Sequence, residues 1–256
     1  MVAPVFIVTG ASRGIGLAIS KALLAEQPNC KLVAVARNAE KLQELADKSD
    51  PQRVAILSAD LSDTSTAQRA INLALSKFGS LDGLVINHGI MDPVKRICDA
   101  DIEGWKTAFD TNVFSAIVMI RAAIPALRTT HGRIVLVSSG ASIRGYAAWG
   151  CYGMTKAALN HLALTLANEE ADITTVSIRP GMVDTQMQVT LRDVHHSVMN
   201  KDDVAKFSEA KTSGKLLKPN QPGNVIARLV IGAPKALSGS FLSWDDQDKL
   251  GKFQDP

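Results

Sequence analysis

The sequence predicts an α/β protein with a doubly wound parallel sheet, and three observations support this fold class. Short apolar runs alternate with segments whose apolar residues recur at helical spacing, as in strand–helix–strand crossovers. The apolar runs are uninterrupted, which is typical of strands buried on both faces of a parallel sheet. A glycine-rich turn links the first run to the first helical segment, where such sheets bind phosphate groups. We therefore expect seven parallel strands with helices on both faces.

The elements follow one another along the chain in this order. Strands are expected at 5–10, 31–36, 53–60, 81–89, 132–139, 174–181 and 239–244. Helices are expected at 14–26, 39–48, 66–79, about 101–129 and about 150–170. The sequence contains no repeat or linker, so a single domain over 1–256 is predicted. The polar segment at about 185–222 has only a patchy helical pattern, and we interpret it as an excursion that forms a substrate lid.

Composition excludes several classes of protein. The chain is 46% hydrophobic and 21% charged, with a net charge of +3 and no basic block, so no nucleic-acid partner is expected. The three cysteines form no C-x-x-C pair, which favours a reducing compartment and argues against disulfides or a zinc site. His195 and His196 are adjacent in the polar excursion without further ligands, and we interpret them as solvated loop residues rather than metal ligands.

The apolar segments do not indicate a signal peptide or a membrane span. The N-terminal "MVAPVFIVTG" has no preceding basic region and runs into the glycine turn, as a first strand does. The later run "VFSAIVMI" ends at Arg121, well short of the roughly 20 residues that a membrane span requires. A cytoplasmic location is therefore expected.

The glycine turn "TGASRGIG" at 9–16 is typical of a dinucleotide-binding site. Gly10 lets the chain turn off the strand, whereas Gly14 and Gly16 remove Cβ atoms where a pyrophosphate and the strand approach closely. The helix that follows presents free N–H groups and a partial positive charge to the anion. Strand, glycines and helix occur in the order that this function requires.

The end of the second strand indicates which dinucleotide is bound. Sites for NAD usually have an acidic residue there that binds the ribose 2′-hydroxyl. This chain has Ala36 followed by Arg37, and Arg13 in the glycine turn lies on the same side. Positive charge suits a 2′-phosphate, so the sequence predicts NADP(H) rather than NAD(H). Asp60, at the end of the third strand, is placed to hydrogen-bond the adenine amino group.

Tyr152 and Lys156 lie four residues apart in "CYGMTK", about one helical turn, so a helix would present both on one face. Such a pair is a weak signal alone. The glycine turn, Asn87 and Gly89 after the fourth strand, and Ser139 thirteen residues before the tyrosine strengthen it.

Together with Asn112 in "TNVFS" and "RPG" at 179–181, these motifs resemble the short-chain dehydrogenases/reductases along almost the whole chain. More narrowly, "WGCYGMTKAALNH" and "RPGMVDTQMQ" resemble the fungal benzil reductases and, more distantly, the sepiapterin reductases. One departure is His88, where the family commonly has alanine. The family's chemistry does not require a histidine there, so we favour a packing or hydrogen-bonding role.

The resemblance implies a Rossmann fold that binds NADP(H) and transfers hydride between the nicotinamide and a carbonyl or alcohol carbon. Tyr152 would be the general acid, Lys156 would lower its pKa and bond the ribose hydroxyls, and Ser139 would hold the substrate oxygen. Asn112 would hold a water that links Lys156 to solvent. The cofactor-binding residues that it implies, besides Tyr152 and Lys156, are Gly10, Ser12, Arg13, Gly14, Ile15, Gly16, Arg37, Asn38, Asp60, Leu61, Asn87, Gly89, Pro180, Gly181, Val183 and Thr185.

The predicted substrate is a small-molecule carbonyl compound. Residues expected at the substrate are Ser139, Ile143, Trp149, Met182 and Met187, with Met91 as a further candidate. Methionine and tryptophan offer a broad apolar surface for bulky or aromatic ketones. Asp245 or Asp246 in the tail could also reach the pocket, as an acidic residue does in sepiapterin reductases.

Alternatives to a reductase of bulky ketones or 1,2-diketones are an alcohol or steroid dehydrogenase, a 3-oxoacyl reductase and a non-catalytic NADP-sensing regulator. The last class usually lacks the Tyr/Lys pair, which this chain retains. The resemblance also implies a homodimer or homotetramer, whose long helices pack across a two-fold axis.

Overall fold

The computed structural model describes residues 3–255, and its strands form one sheet in which every pair is parallel. The strands are β1 (Val5–Thr9), β2 (Lys31–Ala36), β3 (Val54–Ser58), β4 (Gly83–Ile86), β5 (Arg133–Val137), β6 (Thr174–Arg179) and β7 (Phe241–Ser243). Their order across the sheet is β3-β2-β1-β4-β5-β6-β7. The predicted seven-stranded, doubly wound sheet is confirmed.

The sheet is covered by helices on both faces. The helices are α1 (Gly14–Glu26), α2 (Ala39–Asp47), α3 (Ser65–Phe78), α4 (Ile102–Phe109), α5 (Ser115–Thr130), α6 (Gly150–Glu169), α7 (Gln186–Asp193), α8 (Lys201–Thr212), α9 (Asn220–Gly232) and α10 (Gln247–Leu250). Successive side chains of β1 point to opposite faces, so Phe6 and Val8 pack towards α1 and α9, whereas Val5 and Ile7 pack towards α3, α5 and α6. Both faces are therefore hydrophobic cores.

Several strands are shorter than the apolar runs that predict them. The run at 81–89, for example, contains a ladder only at Gly83–Ile86. The remaining polar residues leave the sheet because they belong to the turns at its carboxyl edge, where the candidate site lies.

The helix expected at about 101–129 is divided by a π turn at Asp110–Phe114. Asn112 lies in this turn, fully buried, and its side chain bonds the backbone of Ile90 on the neighbouring loop. π turns frequently mark functional sites because the extra residue redirects a side chain. By length and composition alone, Ile102–Thr130 would suffice to cross a membrane. Its buried face, however, packs on the sheet through Met119 and Leu127, as a core helix does.

The sequence pattern did not reveal helix α9, whose first residues overlap the expected excursion. Its inner face is buried against α1 and the sheet, and a Cβ on Gly223 would lie 2.9 Å from the Ala18 Cβ. The excursion therefore ends before Asn220. It contains two ordered helices, α7 and α8, rather than an irregular loop.

Candidate active site

The order of the strands reverses between β1 and β4, and the turns after these two strands open a crevice at the carboxyl edge of the sheet. Asn87 joins the two turns, since its side-chain nitrogen donates to Thr9 O at 3.1 Å and Gly10 O at 3.3 Å. The predicted cofactor residues follow the strands at this edge: Gly10, Ser12, Arg13, Gly14, Ile15 and Gly16 after β1, Arg37 and Asn38 after β2, Asp60 and Leu61 after β3, Asn87 and Gly89 after β4, and Pro180, Gly181, Val183 and Thr185 after β6.

The glycine turn forms a cradle that side chains would fill. A Cβ on Gly16 would lie 2.2 Å from Gly10 O, and Gly10 itself has φ +67°. A Cβ on Gly14, at φ +54°, would lie 3.3 Å from Thr185 Cγ2. Helix α1 begins after Arg13 without a side-chain cap and without an acidic residue in its first turn. The bare N–H groups and the close backbone suit a pyrophosphate.

At β2 and β3, two predicted cofactor side chains make local contacts. The Asn38 side chain caps α2 by accepting from Lys41 N at 2.8 Å. Asp60 Oδ1 accepts from the backbone N and the hydroxyl of Ser62 at 2.9 and 2.8 Å, and these bonds lower the pKa of Asp60. Arg37 is exposed beside them. The edge thus presents an ionised carboxylate and a guanidinium.

Ser138 and Ser139 have separate positions at the end of β5. The Ser138 hydroxyl is buried and donates to Lys156 O at 3.1 Å, so it supports the helix. The Ser139 hydroxyl accepts from Ala141 N at 3.1 Å, and it is near enough to the Tyr152 phenol to favour the phenolate and so lower the pKa of Tyr152. Of the two serines, Ser139 is therefore the one beside the Tyr152 phenol.

Tyr152 and Lys156 are both buried on one face of α6. The Lys156 Nζ lies 5.8 Å from the centre of the Tyr152 ring and donates to Val137 O at 2.8 Å. Burial lowers the pKa of Lys156 to about 8. Burial raises the pKa of Tyr152, and the nearby Ser139 hydroxyl opposes this only in part. Without a cofactor, removal of the phenol from water therefore dominates the pKa of Tyr152; the expectation that Lys156 lowers this pKa together with oxidised nicotinamide stays a prediction.

The residues between the pair fix its position. Gly153 allows α6 to approach the turn after β5, because a Cβ there would lie 2.8 Å from Ala141 O. Thr155 donates to Tyr152 O at 2.8 Å and accepts from Asn112 Nδ2 at 3.1 Å. The same Asn112 side chain bonds Ile90 N and O, each at 2.8 Å. Asn112 therefore links the loop after β4 to the helix that carries Tyr152.

Aromatic side chains enclose Tyr152. The Trp149 ring is perpendicular to the phenol, with centroids 6.2 Å apart. Phe207 of α8 stacks on the other side of the indole at 5.2 Å, and Tyr146 lies 4.7 Å from it. Met91 belongs to the same cluster and Met182 packs against it, together with three residues that the sequence did not indicate: Leu191, Met199 and Phe207. Aromatic and apolar side chains from several segments thus pack around Tyr152.

Two predicted substrate residues lie outside this cluster. Ile143 is 67% exposed and Met187 is 36% exposed, and neither packs in the cluster around Tyr152. Ile143 lies just beyond the short turn at 140–142, which directs it outward, and Met187 is on the outer side of α7.

Comparison with known proteins decides the family. The short chain dehydrogenase family matches residues 4–195, well over half of the chain.

The chain belongs to the short-chain dehydrogenases/reductases.

It is 40% identical over 241 residues to an uncharacterised oxidoreductase of Schizosaccharomyces pombe, covering 94% of this chain and 96% of the relative. It is 37% identical over 260 residues to the benzil reductase ((S)-benzoin forming) of Saccharomyces cerevisiae, covering 98% of each. The crystal structure of another short-chain dehydrogenase/reductase of S. cerevisiae superposes with a TM-score of 0.96 at 36% identity, over 99% of this chain and 100% of that one. The chain is therefore an oxidoreductase, and the cofactor of its family is NAD(P)(H).

In this short-chain dehydrogenase, polar side chains of the excursion lie against the segment that follows β4. His195 Nε2 lies 3.2 Å from Asp92 Oδ1, and Arg96 donates to the Asn200 side chain at 3.1 Å. The His195 side chain is 13% exposed, so the interpretation of this residue as a solvated loop histidine is wrong. It faces the loop after β4 because α7 folds back over that loop.

His88, the departure from the family pattern, joins three elements. Its Nδ1 lies 2.8 Å from the Thr9 hydroxyl of β1, and its Nε2 lies 2.7 Å from the Ser115 hydroxyl of α5. Burial, with the positive charge of Lys156 next in effect, lowers the pKa of His88 to about 3. The ring is therefore a neutral hydrogen-bonding group at neutral pH.

The C-terminal carboxylates make local contacts. Asp246 caps α10 by accepting from Lys249 N at 3.0 Å, and Asp245 accepts from the Ser243 hydroxyl. Trp244, rather than either aspartate, approaches the segment after β6, since a Cβ on Gly181 would lie 3.0 Å from its Nε1. The tail thus reaches the edge of the site through an indole.

We expect Lys156→Met to raise the Tm of the cofactor-free protein at pH 7 by roughly 2–6 °C, given about 2–4 °C per kcal/mol for chains of this size. The pKa of Lys156 is about 8 in the folded protein and near its ordinary value when unfolded. Below pH 8 Lys156 is charged in the folded protein, so burial of its ammonium lowers the free energy of unfolding by its full amount. Between the two pKa values the unfolded chain binds more protons, so stability of the wild type rises with pH.

Thermal unfolding of both proteins from pH 7 to pH 10 measures this effect. The gain of the methionine variant should shrink towards pH 10. A variant that melts below the wild type at pH 7 would mean that the bond to Val137 O outweighs the cost of burying the charge.

Proposed function

We propose that this protein is an NADPH-dependent carbonyl reductase that acts on bulky ketones or 1,2-diketones. The observation that carries the proposal is the buried Tyr152 phenol, which lies near Ser139 and Lys156 and packs against aromatic rings. The aromatic lining supports an aryl-bearing substrate, because offset or edge-on ring contacts add to apolar burial. The benzil reductase among its relatives supports the same substrate class.

Bound NADPH supplies the hydride that adds to the carbonyl carbon. Tyr152 donates its proton to the carbonyl oxygen, so a C–H and an O–H bond form as the carbonyl π bond is lost. The Ser139 hydroxyl donates to the same oxygen and stabilises the developing negative charge. The raised pKa of Tyr152 supports reduction, since the phenol holds its proton at neutral pH.

Lys156 and Asn112 support the tyrosine. The ammonium of Lys156 bonds the ribose hydroxyls and favours the phenolate that remains after proton transfer. Asn112 positions a water through which Lys156 recovers a proton from solvent. Its contacts with Ile90 and Thr155 support this role because they fix the amide beside the lysine helix.

The choice of NADPH rests on charge at the end of β2. Ala36 ends the strand where NAD enzymes place a carboxylate, and Arg37 follows, exposed at the edge. Arg13 is also exposed in the glycine turn. Two guanidinium groups on one side of the crevice suit a 2′-phosphate, which arginine binds in a bidentate manner.

The whole chain acts as a single NADP-binding domain, and the excursion, which ends before Asn220, is its substrate lid. Contacts of Leu191, Met199 and Phe207 with the aromatic cluster support the lid. The proposed assembly is a homodimer or homotetramer in the cytoplasm, without nucleic acid, membrane or metal. Apolar side chains exposed on the outer faces of α5 and α6, Ile117 and Leu164 among them, support self-association.

A substrate panel tests the proposed function. NADPH consumption with benzil, sepiapterin, simple ketones and 3-oxo thioesters is expected to give the highest kcat/KM with benzil. Preference for a 3-oxo thioester would favour an acyl reductase instead. If no carbonyl compound supported consumption of NADPH, a non-catalytic regulator would replace the proposal.

A further inference from the structure

Trp149 holds a buried hydrogen-bond donor without an acceptor, next to the proposed general acid. The residue is 7% exposed, and its Nε1 has no hydrogen-bond partner among residues 3–255. A buried N–H without a hydrogen-bond partner destabilises the protein because its hydration is lost. A ligand that supplied an acceptor would therefore bind with the full free energy of the new hydrogen bond. The indole packs edge-on to the Tyr152 ring, with centroids 6.2 Å apart.

Hydrogen bonds fix the backbone of Trp149 at the start of α6. Trp149 N donates to Tyr146 O at 3.2 Å, and Trp149 O accepts from Gly153 N at 2.8 Å, in the first turn of α6. The preceding Ala148 has φ +69°, a conformation that side chains other than glycine rarely adopt. Strain of this kind persists where the surrounding structure requires one orientation. Trp149 is therefore fixed three residues before Tyr152 on the same helix face.

We propose that the Trp149 Nε1–H donates to the second, non-reacting oxygen of a 1,2-dicarbonyl substrate. This assignment rests on the proposed function, in which Tyr152 takes the reacting oxygen. The two oxygens of a vicinal dicarbonyl are on adjacent carbons, and the indole packs against the phenol assigned to the first oxygen, so its unpartnered N–H is the donor that we assign to the second.

Phe207 supports this assignment by showing what the indole face accepts. Its ring stacks on Trp149 with an interplanar angle of 22° and centroids 5.2 Å apart. An aryl group of the substrate would make the same kind of stacked contact with the indole. The indole thus contributes both an aromatic face and a donor, which together select aryl 1,2-diketones over aryl monoketones.

Benzil and deoxybenzoin form a matched pair of substrates, because deoxybenzoin replaces one carbonyl of benzil by a methylene. Trp149→Phe keeps an aromatic face and removes the N–H. We expect its kcat/KM for benzil to fall roughly tenfold, as for a lost hydrogen bond, while that for deoxybenzoin changes little. Trp105→Phe is the matched control, since Trp105 on α4 also has a buried Nε1 without a partner in the described part of the chain. The control should leave the ratio of the two substrates unchanged.

Failures of the two proposals are distinguishable. If the wild type reduces neither diketone nor monoketone, the proposed function fails. If it reduces both and Trp149→Phe lowers both equally or leaves both unchanged, the donor role is overturned while the reductase stands.

A second measurement uses the wild-type protein and does not require Trp149→Phe to fold. The indole N–H resonances of ¹⁵N-tryptophan-labelled wild type are recorded with NADP⁺, before and after addition of benzil. The Trp149 signal, assigned by elimination with Trp105→Phe and Trp244→Phe, should move downfield as a hydrogen bond forms. An unmoved Trp149 signal in a complex that binds benzil would contradict the proposal.

Discussion

Tyr152→Phe is expected to lower kcat for ketone reduction by about 10²–10⁴-fold, the usual contribution of a general acid. The substitution keeps the ring and its edge-on contact with Trp149, but it removes the proton that the carbonyl oxygen receives. The Ser139 hydroxyl remains, so a residual rate from charge stabilisation should persist. Steady-state rates with benzil and saturating NADPH measure the loss.

The chain contains only one other tyrosine, Tyr146, so the same substitution at that position is a chemically matched control. Tyr146 lies in the same aromatic cluster, and its hydroxyl accepts from Lys206 Nζ at 3.4 Å. Tyr146→Phe should therefore retain kcat within a few-fold while Tyr152→Phe does not. Retention of most of kcat by the Tyr152 variant would exclude it as the proton donor.

Arg37→Ala is expected to lower kcat/KM for NADPH about 10- to 100-fold, as for loss of a hydrogen bond to a charged group, and to leave kcat/KM for NADH nearly unchanged. The guanidinium is exposed at the end of β2, so its removal should not disturb the core. Only NADPH carries the 2′-phosphate, and the ratio of the two constants isolates that contact. Initial rates over a range of each cofactor provide the measurement.

Lys48→Ala provides the control, because Lys48 is an exposed cation at the opposite end of α2. It should leave the cofactor ratio unaltered. A wild type that prefers NADH, or an equal loss for both cofactors in Arg37→Ala, would contradict the assignment.

The sequence predicts those parts of the molecule whose causes are local. Buried strands appear as continuous apolar runs, and the glycine turn requires its residue types at fixed spacing. Tyr152 and Lys156 could be found because one helical turn separates them. Their surroundings at the end of β5 follow from the parallel register, which brings Ser139 beside α6.

What sequence reasoning missed depends on contacts between distant segments. Phe207 reaches Trp149 from a polar, weakly periodic helix, so nothing in its local pattern indicates a position in the site. The π turn at Asn112 is stabilised by bonds to Ile90 and Thr155, which no spacing rule contains. The raised pKa of Tyr152 likewise results from burial, which side chains from distant segments produce together.

The Tyr-x-x-x-Lys pattern treats its three middle positions as equivalent, although in this protein they tolerate substitution very differently. Gly153 has no room for a side chain against Ala141 O, and the hydroxyl of Thr155 is bonded on both sides. Met154 is 54% exposed and makes no such contact. A fluorophore or spin label attached at position 154 would therefore move with α6, the helix that carries Tyr152 and Lys156. It would report the motion of this helix from the solvent side, without contact with Tyr152 or Lys156.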